Sequence, residues 1–240
     1  MVKRTFPILL LSAMLLFAFT SLASQLQTAL PGTDSWRTQT GSYFNFGVQP
    51  GTLFTPLHHI GVVQFVGLPI YPNGADTLIA RLTDADINGN PIPIQLLSLS
   101  WQSVGLVDVD GVRYSVTATL DPAQLADDVG TMSIMGSQLG DTYSAQLDAY
   151  LQVVFTPQQN PDSFEVFVPL RLNNPNGTWV GKPSHIPNEV YFDPSVTVYN
   201  IDDGMGQVIL DPVPTPEPGT LVLFSAAALA AFGRMKAGRR

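Results

Sequence analysis

Apolar residues fall in two patterns along this chain: continuous runs near both ends, and alternation with polar residues in between. The clearest alternation is Val107-Asp-Val-Asp-Gly-Val-Arg-Tyr-Ser-Val116. Asp110-Gly111 at its centre is a two-residue type I′ turn signal. A turn there sets Val109 opposite Val112 and Val107 opposite Tyr114, all on one side of the pleat with Val116. The same register sets Asp108 opposite Arg113 on the wet side, which predicts a cross-strand ion pair. A second strand is predicted over residues 164–172, with Phe164, Val166, Val168, Leu170 and Leu172 in phase; Pro169 places it at an edge or a bulge. Shorter alternations predict strands over residues 43–48, 59–66, 77–83, 94–101, 131–135, 149–155, 195–199 and 207–210. Tyr71-Pro-Asn-Gly74 and Asn173-Asn-Pro-Asn-Gly177 read as turns between them. Residues 121–128 predict one or two helical turns, with Asp121 as N-cap and Pro122 in the first turn. Many short strands at this spacing predict an all-β fold, an antiparallel β-sandwich or jelly roll.

The continuous runs have a different meaning. Lys3 and Arg4 precede an apolar stretch over residues 6–19, and Ser21-Leu22-Ala23 follows with small residues at its outer positions. That is the layout of a secretory signal peptide, residues 1–23, cut before Ser24. At the other end, residues 220–232 are apolar apart from Thr220 and Ser225. At about 1.5 Å per residue a helix of this length covers roughly 20 Å, a short span for a hydrocarbon core of about 30 Å. Arg234, Lys236, Arg239 and Arg240 follow and would hold that end on the cytoplasmic side. The expected organisation is therefore a signal peptide over 1–23, a β domain over 24–210, an extended Pro-rich linker over 211–218, and a short transmembrane helix with a basic tail over 219–240.

Pro216-Glu217-Pro218, then a short apolar helix, then an Arg-rich end resembles the PEP-CTERM sorting signal of exopolysaccharide-producing bacteria. The resemblance covers about residues 213–240, and its specificity lies in the order of the elements together with the N-terminal signal. It implies recognition by exosortase, a membrane-embedded protease-like enzyme, transient anchoring by the helix, and removal of the tail. The sorting residues it implies here are Pro216, Glu217 and Pro218, with Arg234, Arg239 and Arg240 in the basic end. A stretch running from Leu96 through the 107–116 hairpin to Ile134 is loosely similar to uncharacterised β domains found ahead of such tails, which implies a fold type and no activity.

Charge sharpens this picture. Residues 24–213 hold eighteen acidic and five basic residues, a net of −13. Such a surface repels nucleic acid and anionic membrane and favours solubility. The chain has no cysteine, which excludes disulfides and thiol nucleophiles.

Candidate chemistry is sparse. Asp84-Ala-Asp-Ile-Asn-Gly-Asn90 matches the first half of a calcium loop, with Asp84, Asp86 and Asn88 as alternate oxygens. Its twelfth position is Gln95, which cannot supply a bidentate carboxylate, so a plain polar turn is the favoured reading and calcium the alternative cofactor. His58 and His59 are adjacent and point to opposite faces of a strand. No serine sits in a G-x-S-x-G elbow. Trp101 falls in an apolar strand, whereas Trp179 follows Asn176-Gly177 and is expected to be exposed, able to stack on a sugar ring. Three readings follow. The first is a non-catalytic surface or biofilm-matrix protein held in exopolysaccharide. The second is a carbohydrate-binding module using Trp179, and the third is a secreted glycan hydrolase.

Overall fold

The computed structural model describes residues 27–47, 57, 60–159 and 162–214. The expected signal peptide, the Pro216–Arg240 sorting segment and the His58-His59 pair lie outside the described residues.

The described chain is almost wholly β. Its strands are β1 Thr28–Ala29, β2 Gly32–Thr38, β3 Ser42–Asn45, β4 Val62–Gly67, β5 Thr77–Arg81, β6 Ala85–Asp86, β7 Asn88–Ser103 and β8 Val107–Val109. They continue as β9 Val112–Leu120, β10 Val129–Ser137, β11 Gly140–Pro157, β12 Phe164–Pro183, β13 Glu189–Pro194, β14 Thr197–Ile201 and β15 Gly206–Val213. One 3₁₀ turn, Asp202–Gly204, joins the last two.

The strands form one sheet that closes on itself. The ring runs β12-β14-β15-β2-β5-β7-β10-β11, and β11 pairs back to β12 along most of its length. This is an eight-stranded antiparallel barrel with extra strands, in place of the two facing sheets expected from the sequence. Short alternating strands serve either architecture, and only the β11–β12 closure decides between them. β7 and β11 are long enough to change partner along their length. Their lower halves pair β10, and their upper halves pair β9. β3 and β4 bridge β15 to the upper end of β7. At the lower end, the base, β13, β1 and β6 lie side by side, with β1 parallel to β13. The opposite end, the crown, carries the β8–β9 hairpin.

Alternation accounts for the interior. Along β11, Tyr143, Ala145, Leu147, Ala149, Leu151, Val153 and Phe155 are all buried, while Ser144 and Gln146 between them are exposed. An eight-stranded barrel is just wide enough for side chains to fill, and here they do. Phe155 stacks on Phe164 and meets Tyr114 and Phe46 edge-on. Phe44, Phe46, Phe65, Trp101 and Leu151 surround a cavity of about 10 Å³, about the least that holds one water, and its apolar walls keep it dry.

Three register shifts interrupt the ladders, one of them where Ser133 pairs Pro91 and Met135 pairs Asn88, and the other two decide which side chains enter the core. On β7, Leu78 pairs Ser98 while Ile79 pairs Leu96, so the inward set changes from Ile92, Ile94 and Leu96 to Leu99 and Trp101. On β12, Tyr143 pairs Gly177 while Ala145 pairs Asn174. The Asn173–Gly177 cluster is therefore not a turn between strands; it is a bulge inside one twenty-residue strand. An extra residue flips every later side chain to the other face.

Other expectations meet mixed outcomes. The β8–β9 hairpin has the expected register, Val109 with Val112, Asp108 with Arg113 and Val107 with Tyr114. Asp110 and Gly111 have φ of 53° and 84°, as a type I′ turn requires. The Asp108 carboxylate, however, accepts the Gly111 N–H at 3.0 Å, closing the turn in place of the expected ion pair with Arg113. Gly111→Val is expected to cost about 1–3 kcal/mol, because a β-branched residue is strained at positive φ. Asp108→Ala removes one exposed hydrogen bond and should cost under about 1 kcal/mol. Urea unfolding checks the ranking, and the reverse order would contradict the turn assignment.

Pro169 sits where an edge strand tolerates it. Its partner Tyr150 bonds away from β12, donating to Asp128 and accepting from Asp121. Pro169 therefore directs its missing donor at the open side of β12, and no ladder bond is lost. Residues 121–128 make successive turns, Gln124 N–H to Asp121 and Asp127 N–H to Gln124, and Asp121 caps Ala123 N–H at 2.9 Å. The sheet also reaches further than expected. Asp211, Pro212 and Val213 pair with β2, so these three residues, expected in the linker, belong to the sheet. Among the described residues, no helix is long and apolar enough to cross a membrane.

Candidate functional site: a polar belt inside the barrel

The described part of the chain gathers its chemistry-bearing side chains inside the barrel. On β2, Asp34, Trp36 and Thr38 point inward and are buried. Thr77, Ile79 and Arg81 on β5 do the same. The two strands are paired, and this juxtaposition brings Asp34 to Arg81 in a buried ion pair. Arg81 also donates Nε–H to the Leu30 carbonyl at 3.3 Å, and its guanidinium lies 4.8 Å from the Phe192 ring centroid. Burial pushes the Asp34 carboxyl above the usual range, against the pull of Arg81. The ion pair is thus held at a desolvation cost, as buried pairs commonly are.

Across the barrel, the Tyr143 and Thr197 hydroxyls lie 2.6 Å apart. Thr197 gives its own proton to the Ser195 carbonyl at 2.9 Å, so Tyr143 is the donor between them. Burial raises both Tyr143 and Tyr199 above the ordinary phenol range, which keeps them neutral. The Tyr199 hydroxyl, Trp36 Nε1 and Asn174 Nδ2 have no hydrogen-bond partner among the described residues.

Higher in the barrel, Asp76 ties three strands together. It accepts Thr38 N–H, Thr38 Oγ1–H and Thr77 Oγ1–H, each at 2.7 Å. Trp101 Nε1–H donates to Thr38 Oγ1 at 2.8 Å, extending the chain to β7. Even so, burial outweighs these donors and raises the Asp76 carboxyl. Asp128 is also raised by burial; it accepts Tyr150 N–H at 2.8 Å and leaves its second oxygen unpartnered, near Asp121 and Asp127.

These raised carboxyls set an expected pH response. A carboxyl whose folded pKa lies above its unfolded value binds more protons when folded, so its stability penalty is full above the folded pKa. The penalty is relieved as pH falls through that value, and the gain levels off near the unfolded value of about 3.9. Asp76 and Asp128 should therefore hold or raise the Tm as pH falls from neutral through their raised folded values. Asp128→Asn should flatten that part of the profile, and a Tm falling steeply over the same interval in the parent chain would contradict the assignment.

The candidates from the sequence land elsewhere. Trp179 is not exposed; it is 2% accessible. Its indole donates to the Met135 carbonyl at 2.9 Å and stacks on Phe192. The β12 bulge is the reason: continued alternation from Leu170 and Leu172 would have turned Trp179 outward, and the one-residue slip turns it in. Together with Phe192 and Tyr143 it seals the base over Arg81. Asp86 closes its own loop, accepting Asn88 N–H at 3.1 Å, Asn90 N–H at 3.4 Å and the Asn90 side-chain amide. These donors, that amide first, hold its carboxyl below the ordinary value. Asp84 and Asn88 stay exposed. A cation at this loop would have to displace bonds already made. Among the described residues, no three His, Asp or Glu side chains converge as a metal site.

The sequence reading missed Asp34, Arg81 and Asp76. Asp34-Ser-Trp-Arg-Thr38 alternates, but with a charge and a hydroxyl on its inward face, so the apolar signal is diluted. The Asp34–Arg81 partners are 47 residues apart, and nothing local links them. What this belt does chemically is bond to itself: each ionised group meets a donor from a neighbouring strand, under an aromatic seal. The chain matches no protein-family model, no curated protein and no solved structure.

Proposed function

We propose that the chain is an exported protein, sorted to the cell surface or biofilm matrix by its C-terminal segment, with a structural and non-catalytic role among extracellular polysaccharide. The observation that carries this reading is the order of elements in the sequence. A charged start, an apolar run and a small-residue exit stand at one end; Pro216-Glu217-Pro218, an apolar run and Arg234 to Arg240 stand at the other. That resemblance to exosortase substrates assigns the tail to transient anchoring and removal.

The fold is compatible with such a life. Its stability comes from a filled barrel core and paired strands without any disulfide. Its outward-facing positions include Gln146, Glu165 and Arg171 beside apolar residues such as Phe167 and Val180. Val213 is the last paired residue, so the sorting segment starts directly where the sheet ends. The glycan-binding reading loses the residue it rested on, because Trp179 is part of the core.

Mass spectrometry of the protein recovered outside the cell tests the proposal. The expected species begins at Ser24 and lacks residues 220–240. A species carrying the intact tail, or one found only in the cytoplasm, would refute it.

A further inference from the structure

The base of the barrel carries a cleft of about 140 Å³, lined in part by Pro183, Ile186, Pro187, Asn188 and Glu189. That is room for a group far larger than one water. Its walls are mostly apolar, yet the Glu189 Oε2 atom is enclosed and has no hydrogen-bond partner among the described residues. An enclosed carboxylate oxygen without a donor destabilises the fold, so the cleft suits a cation that can donate.

The basic side chains of the domain are engaged or remote. Residues 24–213 hold five of them. Arg81 pairs with Asp34, Arg171 with Asp148 and Lys182 with Asp193. Arg37 donates to the Gly74 carbonyl, and Arg113 lies in the crown hairpin. His185, on the loop beside the cleft, is exposed. The neighbouring charges on β6 and β13, Asp86 and Asp193, are acidic. One further positive charge belongs to this end: the α-ammonium that a cut before Ser24 creates.

Strand order brings it there. β1 runs parallel to β13, with Thr28 beside Glu189. Thr28 N–H donates to the Asn188 carbonyl at 3.1 Å, and the Gln27 carbonyl accepts Ile87 N–H at 3.2 Å. These bonds fix the chain next to the cleft, and the parallel direction points whatever precedes them along Asn188, Pro187 and Ile186. Three residues, Ser24-Gln25-Leu26, lie between the cut and Gln27. Extended they reach roughly 10 Å, and paired strands lie only about 4.8 Å apart, so one turn returns the amine to Glu189. Leu26 is apolar, as the walls are.

We propose that the new N-terminus of the processed chain occupies this cleft, its Ser24 α-ammonium donating to Glu189 and Leu26 resting against Pro183 and Ile186. This rests on reading residues 1–23 as a signal peptide cut before Ser24. Before the cut the same nitrogen is an uncharged amide, so processing adds an ion pair that the precursor lacks.

Lys182 is the one lysine of residues 24–213, which makes the test direct. Lys182→Arg keeps the charge beside Asp193 and leaves Ser24 as the only amine in that span. The variant is recovered from an exporting host and treated with a zero-length carbodiimide, which joins an amine to a carboxylate in contact with it. Peptide mass spectrometry reads the N-terminus and the link together. The expected chain begins at Ser24, with its amine joined to Glu189 at several-fold higher yield than to any other carboxylate. Acetylating that amine should lower the Tm by roughly 2–4 °C. It should do nothing in Glu189→Gln, because one interaction is lost only once. A Ser24 amine joined to Asp84 or Asp86 as readily as to Glu189, or acetylation acting equally in both proteins, overturns the pairing and leaves the signal peptide standing. A chain that keeps residues before Ser24 overturns both.

Discussion

Arg81→Leu is expected to destabilise the barrel by about 3–5 kcal/mol, the usual cost of removing one partner from a buried ion pair. The reason lies with Asp34. Its carboxylate is buried between β2 and β5, with Arg81 as its salt-bridge partner. Without the guanidinium, Asp34 must stay charged in a low-dielectric site or take up a proton, and either choice weakens the fold. The leucine also gives up the bond to the Leu30 carbonyl and the cation–π contact with Phe192, loosening the seal formed with Trp179. The double variant Asp34→Leu/Arg81→Leu removes both charges and should recover most of the loss, because an apolar pair is often as stable as a buried ionic one. Urea unfolding of residues 24–213 for parent, single and double variants measures this. A single variant within about 1 kcal/mol of the parent would show the pair to be solvated. A double variant worse than the single would show that the charges themselves hold the barrel.

The same pair marks the limit of what the sequence makes legible. Where a structure is local, it can be read. The β8–β9 hairpin depends on Asp110-Gly111 and on residues within a few positions of it, and its register appears as expected. Pro169 announces an edge because a missing N–H is a property of one residue. Closure of the barrel depends on β11 meeting β12 while β14 joins β12 to β15, and no short window contains that information. Trp179 shows how a local reading fails. Its environment was inferred from Asn176-Gly177, a turn signal. In the fold that signal makes a bulge, and the strand continues with its faces exchanged. Asp108 shows a finer failure: the cross-strand register was legible, but the carboxylate has a nearer donor in its own turn. The Asp84–Asn90 loop was legible as a turn for the same reason its metal reading was doubtful, since its side chains can bond their own backbone.

The largest functional effect is expected from the tail. On the proposed reading, release depends on two separable features, a recognised tripeptide and a basic end that fixes topology. Glu217→Ala removes the acid between two prolines and leaves the apolar run and its charges unchanged, so anchoring persists while recognition is lost. Deleting residues 234–240 removes Arg234, Lys236, Arg239 and Arg240, the positive charge that the proposal relies on to hold this end inside. Neither change touches the barrel, whose last paired residue is Val213, so both variants should fold as the parent does. The decisive measurement is fractionation of cells making the parent and each variant, followed with an antibody to the barrel. The account predicts that the parent is released at its processed size, while both variants collect in the inner membrane as tail-bearing precursor. Release of both variants at the parent's size and rate would contradict it.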